Sequence, residues 1–283
     1  MNRRGALKAL AGVLVCPLCP SPLRAFSYEE SAADGPAHWG GICNSGNRQS
    51  PIDIVGYDTA QLPGLHIDWN GTATGIVNNG ENIQVNVSGG SLVVGTPGQG
   101  GIGYTLRQFH FHHPSEHKIN GMAADMEVHF VHVGGPLGLG VVAVRMNAGA
   151  ANPAFARVVQ LAPREEGSTP SPAGIDPMLL LPRRPRQMPG SYFRYDGSLT
   201  TPTGDGNTCT ENVTWMVLEE PIEVAAADIA TYKSVMPEAN ARPAQRTSGT
   251  TPGLSVVRSQ YTWDQPCVQI EDTMMCDFYW GPG

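Results

Sequence analysis

Apolar and polar residues alternate with a period of two along most of the middle of this chain. The clearest segments are 83–87, 104–112 and 126–133. Side chains of a β-strand point alternately to opposite faces of a sheet, so this period is typical of strands. Helical periodicity is best developed at 152–161, which opens with an Asn-Pro pair suited to a helix start. The chain is therefore predicted to be mainly β (α+β), with a large central, mostly antiparallel twisted sheet and a few short peripheral helices.

The composition fits a soluble globular protein. Of the 283 residues, 41% are hydrophobic and 15% are charged, and this length allows one large domain or two small ones. The formal net charge of −7 argues against a nucleic-acid-binding surface. No apolar run after residue 26 is long enough to span a bilayer, so we expect no transmembrane segment.

The first 25 residues have the features of an export signal. Arg3 and Arg4 form a charged start, an apolar stretch covers 6–18, and Leu-Arg-Ala at 23–25 resembles a cleavage site. Paired arginines ahead of an apolar residue and a lysine also fit the twin-arginine route, and a general secretory signal remains open. We therefore expect an exported protein, periplasmic or extracellular, that loses residues 1–25.

Four cysteines remain after residue 25, an even number that predicts two disulfides in an exported chain. Cys267 and Cys276 are close enough in sequence to close a local loop, which leaves Cys43 to pair with Cys209. A cysteine zinc site is the rival interpretation, but no pair of cysteines has the short CxxC spacing.

Three histidines are placed to converge on one point. His110 and His112 are two residues apart on an alternating segment, so both leave the same face of one strand. His129 lies on the next alternating segment, and a turn between the two segments lets them pair. A lone histidine in a strand is more often a hydrogen-bonded core residue than a ligand. Three imidazoles with an open fourth position, however, are typical of a catalytic zinc site.

Polar neighbours two residues before these histidines strengthen the interpretation. Gln108 precedes His110, and Glu127 precedes His129, on the same strand faces. A zinc-bound imidazole usually donates its other N–H to a carboxylate or carbonyl, which fixes the tautomer. Gln108 and Glu127 are predicted to accept these two hydrogen bonds.

Several motifs in fixed order resemble the α-class carbonic anhydrases over roughly residues 26–250. They include QFHFH, SEH and MEVHFVH around the histidines, and SLTTP further along. The matching stretches are GPAHWG (35–40), RQSPIDI (48–54), NNG (78–80), QFHFH (108–112), SEH (115–117), MEVHFVH (126–132), GSLTTP (197–202), TWMVLEEPI (214–222) and NARPAQ (240–245). The resemblance implies a catalytic domain at 26–250, followed by a C-terminal extension at 251–283.

The resemblance also implies a chemistry. His110, His112 and His129 match the ligands of one Zn²⁺ per chain, whose bound hydroxide converts carbon dioxide to bicarbonate and a proton. Thr200 matches the residue that accepts the hydroxide proton, and Glu116 matches the carboxylate that accepts the threonine proton. Side esterase activity is also implied, together with binding of anions and sulfonamide-type inhibitors at the zinc.

Other matching positions have supporting roles. The carbonyl of Asn240 matches the acceptor from the middle ligand, and Thr201 adjoins Thr200. Tyr28 and Asn79 match positions that order the proton-carrying waters. The residues that match the apolar wall receiving carbon dioxide are Val131, Val141, Leu199 and Trp215.

The chain departs from the family pattern in four places. Glu81 stands where the usual proton-shuttle histidine follows the NNG turn. Because a glutamate is already ionised at neutral pH, we expect slow, buffer-dependent proton release. Cys209 comes later than the usual cysteine, an arginine-rich insertion at 163–190 includes RRPRQ, and residues 251–283 extend past the family core.

A second class of function remains open from the sequence. A carbonic-anhydrase-like binding or adhesion module that has lost catalysis would normally lack a zinc histidine, whereas all three are present here. A zinc hydrolase with another substrate lacks support, because the chain has no HExxH motif. Monomer and homodimer both fit the sequence.

Overall fold

The computed structural model describes residues 26–95, 98, 100–134, 138–182, 191–203, 208–245 and 256–259, with the backbone of 267–270 and 273–276. The predicted export signal, the RRPRQ stretch and most of the C-terminal extension lie outside the described residues, so their roles stay predictions. Within the described part, no helix has the length and apolar character to cross a membrane.

Strands dominate the described part of the chain. They are β1 Asp53–Ile54, β2 Asp58–Ala60, β3 Leu65–Asp68, β4 Thr72–Asn78, β5 Ile83–Ser88, β6 Ser91–Val94, β7 Ile102–His112, β8 Lys118–Ile119, β9 Met122–Ala123, β10 Met126–Val133, β11 Leu139–Ala148, β12 Gly167–Pro170, β13 Tyr192–Ser198, β14 Glu211–Leu218, β15 Ile222–Val224, β16 Val257–Ser259, β17 Cys267–Ile270 and β18 Thr273–Cys276. The helices are α1 Ile42–Ser45, α2 Pro153–Leu161 and α3 Ala226–Val235, with 3₁₀ turns at Pro36–His38 and Pro177–Leu180.

One thirteen-stranded sheet organises the described residues. Ten of its strands are neighbours in the order β12-β4-β5-β7-β10-β11-β14-β13-β16-β2. Of the other three, β15 pairs with β11, β6 pairs with β7, and β3 pairs with β6. Most neighbours are antiparallel, but β11 pairs in parallel with β14 and β15, and β16 pairs in parallel with β2. The predicted fold class, a large sheet with few short helices, is confirmed.

Period-two alternation separates the core from the candidate site. Phe109 and Phe111 of β7, with Phe130 of β10, are buried in the main hydrophobic cluster. That cluster also contains buried residues of α2 and α3, which therefore cover this side of the sheet. The intervening residues of β7 and β10, including His110 and His129, face the other way.

The predicted helix at 152–161 is present as α2, and its start follows the sequence signal. Asn152 lies at the N-cap, where its side chain accepts hydrogen bonds from the backbone N–H groups of Ala154 and Phe155. Pro153 occupies the first turn, where a missing N–H has no helical partner to lose.

The long-range disulfide predicted between Cys43 and Cys209 is present and joins residues 166 apart in sequence. It ties α1 to the segment just before β14. For the local pair, the backbone of the β17–β18 hairpin places Cys267 directly opposite Cys276. Their side chains lie outside the described part, so the second disulfide stays a prediction.

Candidate metal centre

The pairing of two central strands brings the three predicted histidines together. His110 of β7 and His129 of β10 are direct cross-strand partners, and His112 lies opposite Glu127. One nitrogen from each of the three imidazoles falls within a cluster whose atoms lie within 4.8 Å of one another. His112 and His129 are buried, and His110 is half-buried at the edge of the group.

Each imidazole has one nitrogen fixed by a neighbour. Nδ1 of His110 lies 2.8 Å from Oε1 of Gln108, and Nε2 of His129 lies 3.0 Å from Oε1 of Glu127. Because a carbonyl or carboxylate oxygen can only accept, these ring nitrogens carry the proton. The other nitrogen of each neutral ring is then a free electron-pair donor.

His112 gives the most direct sign of a missing partner. Its Nδ1 donates to the carbonyl oxygen of Asn240 at 2.7 Å, while its Nε2 is buried and has no hydrogen-bond partner. Burial lowers the pKa of His112, and it holds the pKa of His110 well below its usual value, with help from the neighbouring imidazoles. Neutral imidazole is the form that binds a metal ion, so these residues fit Zn²⁺.

Glu127 contacts more groups than the sequence indicated. Besides His129, its carboxylate accepts from the backbone N–H of His117 at 2.8 Å and from Nδ1 of His117 at 2.7 Å. Burial raises the pKa of Glu127, but the two imidazoles outweigh it and hold this pKa well below its usual range. The further group His117, Glu127 and His129 is therefore joined by internal hydrogen bonds and is not a second open site.

A buried polar chain continues beyond His117, and sequence reasoning missed it. Nε2 of His117 lies 2.7 Å from the hydroxyl of Tyr195, which lies 3.0 Å from Oγ of Ser50. Ser50 in turn accepts from the backbone N–H of Ser198 at the end of β13. These contacts join residues up to 148 positions apart, so no local pattern signals them.

Glu116 lies beside two of the candidate ligand nitrogens. Its Oε2 is 3.6 Å from Nε2 of His112 and 3.8 Å from Nδ1 of His129, whereas its Oε1 accepts from the backbone N–H of Arg242. Oε2 makes no hydrogen bond with the described residues. Thr200 is buried just after β13, but its implied bond to Glu116 is not made at this oxygen and stays a prediction.

The predicted apolar wall spans three neighbouring strands. Val131 is the cross-strand partner of Val141, and Val141 is the partner of Trp215. The Trp215 ring lies 4.9 Å from the His129 ring, and Leu199 packs against the same cluster. Thr201 is half-buried at the end of this loop.

The turn after β4 carries two of the remaining predicted residues, Asn79 and Glu81. Oδ1 of Asn79 accepts from the backbone N–H of Glu81 at 3.0 Å, and the Glu81 carbonyl accepts from Nδ2 of Asn240 at 2.9 Å. Glu81, Asn240 and Tyr28 line a cavity of about 230 Å³. Burial, with the charges of Glu116 and Glu81, raises the pKa of Tyr28 well above its usual value.

A three-histidine cluster with a buried, unpartnered ring nitrogen, on the central strands of a large sheet, is the candidate metal site of a metalloenzyme. A family model for eukaryotic-type carbonic anhydrase matches residues 34–251. The carbonic anhydrase of Pectobacterium carotovorum is 37% identical over 223 residues, which cover 76% of this chain and 85% of that protein.

Solved structures agree with this match. The α-carbonic anhydrase of Thermovibrio ammonificans, solved with sulfanilamide, has a TM-score of 0.71 and 36% identity over 82% of this chain and 98% of its own. Carbonic anhydrase Cah3 from Chlamydomonas reinhardtii, solved with acetazolamide, has a TM-score of 0.70 and 31% identity, covering 84% and 100%. This chain belongs to the eukaryotic-type, or α-class, carbonic anhydrase family. The predicted resemblance and enzyme class are confirmed.

Proposed function

We propose that this chain catalyses the reversible hydration of carbon dioxide to bicarbonate and a proton, using one zinc ion held by His110, His112 and His129. The observation that carries the proposal is the buried Nε2 of His112, which has no partner although it lies among two other ligand nitrogens. When bound, zinc supplies a Lewis acid that makes water nucleophilic near neutral pH.

The protein groups around this point have separate tasks. Gln108, Glu127 and the Asn240 carbonyl hold the three rings in the tautomers that leave one nitrogen free. The wall of Val131, Val141 and Trp215 offers an apolar surface that suits an uncharged, nonpolar substrate.

Thr200 and Glu116 orient the nucleophile. We assign the Thr200 hydroxyl as proton acceptor at the reacting oxygen and Glu116 as the acceptor of the Thr200 proton. The position of Oε2 beside two ligand nitrogens supports this assignment. Holding the attacking oxygen in one orientation lowers the entropic part of the barrier.

Glu81 is a poor acceptor for the proton that carbon dioxide hydration releases. A carboxylate that is ionised at neutral pH has little affinity for the proton, so added buffer carries it instead. Asn79 and Tyr28 are assigned to the ordering of waters along this path.

We also propose that the chain has side esterase activity. We further propose that it binds sulfonamides, because two relatives were solved with sulfanilamide and acetazolamide.

The test is stopped-flow carbon dioxide hydration with zinc analysis on wild type, His112→Gln and the matched control His66→Gln. We expect zinc near one per chain and fast hydration for wild type and the control. His112→Gln is expected to lose both, hydration by roughly a hundredfold or more. Wild-type protein with zinc but no hydration would instead support the binding-module alternative.

We also propose that residues 1–25 direct export and that 26–250 form the catalytic domain. The Cys43–Cys209 disulfide supports an oxidising compartment. Expression of the full chain in a bacterial host, followed by fractionation and N-terminal sequencing, tests this. A product that stays in the cytoplasm with residue 1 intact would contradict it.

A further inference from the structure

Arg242 is a buried cation whose side chain binds one short segment of the chain. It is 3% exposed, and its Nη1 donates to Oε1 of Gln49 at 3.0 Å and to the carbonyl of Ser50 at 2.7 Å. Its Nη2 donates to the carbonyl of Cys43 at 2.7 Å, and the guanidinium lies 5.3 Å from the centre of the Trp39 ring. Burial lowers the pKa of Arg242 to about 10, so the group stays charged at neutral pH.

The backbone N–H of the same residue contacts the candidate metal centre through Glu116. The N–H of Arg242 donates to Oε1 of Glu116 at 2.9 Å. The other oxygen of that carboxylate lies within 4 Å of nitrogens of His112 and His129. Arg242 therefore joins Glu116 to the segment that carries Cys43, Gln49 and Ser50.

That segment is held covalently. Cys43 forms the disulfide with Cys209, and Nε2 of Gln49 donates to the Cys209 carbonyl at 3.4 Å and to Glu211 at 3.1 Å. Cys43 and Gln49, which accept hydrogen bonds from the Arg242 guanidinium, are thus fixed to residues 209–211 at the start of β14. A guanidinium held by three acceptors has little freedom to rotate.

We propose that Arg242 is a positioning residue, which fixes the Glu116 carboxylate beside the metal ligands by anchoring its own backbone to the disulfide-bonded segment Cys43–Gln49. This inference rests on the proposed function. It adds that the orientation of Glu116 depends on Arg242, which lies 126 residues further along the sequence. Sulfonamide binding at the zinc is then expected to depend on Arg242 as well.

A double-mutant cycle of Arg242→Gln and Glu116→Ala tests the inference. Its first readout is the Kd of an aromatic sulfonamide for the zinc-loaded protein, measured by calorimetry together with zinc content. Its second readout is the urea unfolding of the metal-free protein, which needs no metal and no turnover. Arg258→Gln, which removes a partly buried guanidinium paired with Glu219, is the matched control.

We expect Arg242→Gln to raise the sulfonamide Kd by roughly tenfold in the wild-type background and by less than twofold in the Glu116→Ala background. The unfolding free energies should likewise be non-additive. Arg258→Gln should leave the Kd unchanged. Equal effects of Arg242→Gln in both backgrounds, or no effect on Kd in either, would overturn the inference.

Two further measurements keep the test decisive. If Arg242→Gln does not fold, Arg242→Lys retains the charge but has one nitrogen, and should give a smaller loss that again depends on Glu116. The double variant Cys43→Ser/Cys209→Ser should raise the Kd and be non-additive with the Arg242 change; an additive effect counts against the proposal. Zinc-loaded wild type that binds sulfonamide but does not hydrate carbon dioxide fails the proposed function alone, whereas protein that takes up no zinc fails both.

Discussion

Oε1 of Glu127 lies 3.0 Å from Nε2 of His129 and therefore determines which nitrogen of that ring faces the other two histidines. The remaining nitrogen is Nδ1, whereas His110 and His112 each present Nε2. The three donors are thus unequal, and one buried carboxylate is responsible for the difference.

Glu127→Gln is expected to weaken zinc binding by about 10- to 100-fold, because the amide offers a donor where two imidazoles and one backbone N–H also donate. Competition with a chelator measures the affinity. Glu165→Gln, at an exposed glutamate, is the control and should match wild type. Unchanged zinc affinity in Glu127→Gln would refute the role assigned to this carboxylate.

Glu81→His should make hydration less dependent on buffer. An imidazole titrates near neutral pH and can take up the proton that a carboxylate accepts poorly. At low buffer concentration we expect turnover to rise by roughly tenfold or more, with little change at high buffer. Stopped-flow rates across a buffer series measure this.

Glu165→His provides the comparison for that experiment. Glu165 lines the same cavity as Glu81 but is attached to the segment before β12. A histidine there should leave the buffer dependence as in wild type. Equal gains from both substitutions would mean that any imidazole near the cavity suffices and that position 81 is not special.

Val141→Phe is predicted to reduce hydration while leaving zinc bound. Val141 lies between Val131 and Trp215 in the sheet and is 1% exposed, so a phenyl ring at this position has to displace neighbouring side chains of the wall. We expect a loss of roughly tenfold or more in kcat/KM from overpacking at this point. Val133→Phe, at a more exposed position of β10, is the control for ring size. A normal hydration rate in Val141→Phe would argue against this wall as the surface that receives the substrate.

Acid is expected to destabilise the fold through His132. Its Nε2 accepts from Nε1 of Trp69 at 2.9 Å, its Nδ1 donates to the Gly140 carbonyl, and burial lowers its pKa to about 4. The folded pKa is below the unfolded value of about 6.5, so the unfolded chain gains the proton first. Above pH 6.5 the neutral form of His132 makes its full contribution to the free energy of unfolding. This contribution, up to about 3 kcal/mol, is lost as the pH falls from 6.5 toward 4.

Urea unfolding of metal-free wild type and His132→Gln at several pH values between 7 and 4.5 tests this. The other buried histidines are present in both proteins, so the difference between the two curves isolates His132. That difference should shrink as pH falls. A difference that stays constant with pH would mean that His132 does not titrate in this range.

The clustering of the three histidines was predictable because it depends on one local rule. Residues two apart on a strand share a face, so His110 and His112 could be placed together before any pairing was known. The partner strand was also recognisable from Glu127 and His129. Register was less accessible, since the β7–β10 ladder shifts between Val131 and His132.

Apart from the Cys43–Cys209 disulfide and the contact of His112 with the Asn240 carbonyl, the contacts that join distant parts of the chain were not predicted. The bonds from Arg242 to Glu116 and to Cys43 depend on how the chain returns to the site after α3. Helix α3 itself was missed, because its buried residues are few and its sequence shows no continuous apolar stripe. Short strands such as β2 are exposed throughout and depend on their partner β16, not on their own pattern.

The direct opposition of His110 and His129 has a consequence for how the protein matures. A slip of one residue between β7 and β10 would turn the histidines of one strand toward the helix-covered face, and the ligand set would be divided between two sides. Under the proposed function, only chains that have paired these strands correctly have a complete set of zinc ligands. Zinc uptake is therefore expected to distinguish correctly paired molecules, and misassembled molecules should be found in the zinc-free fraction of a preparation.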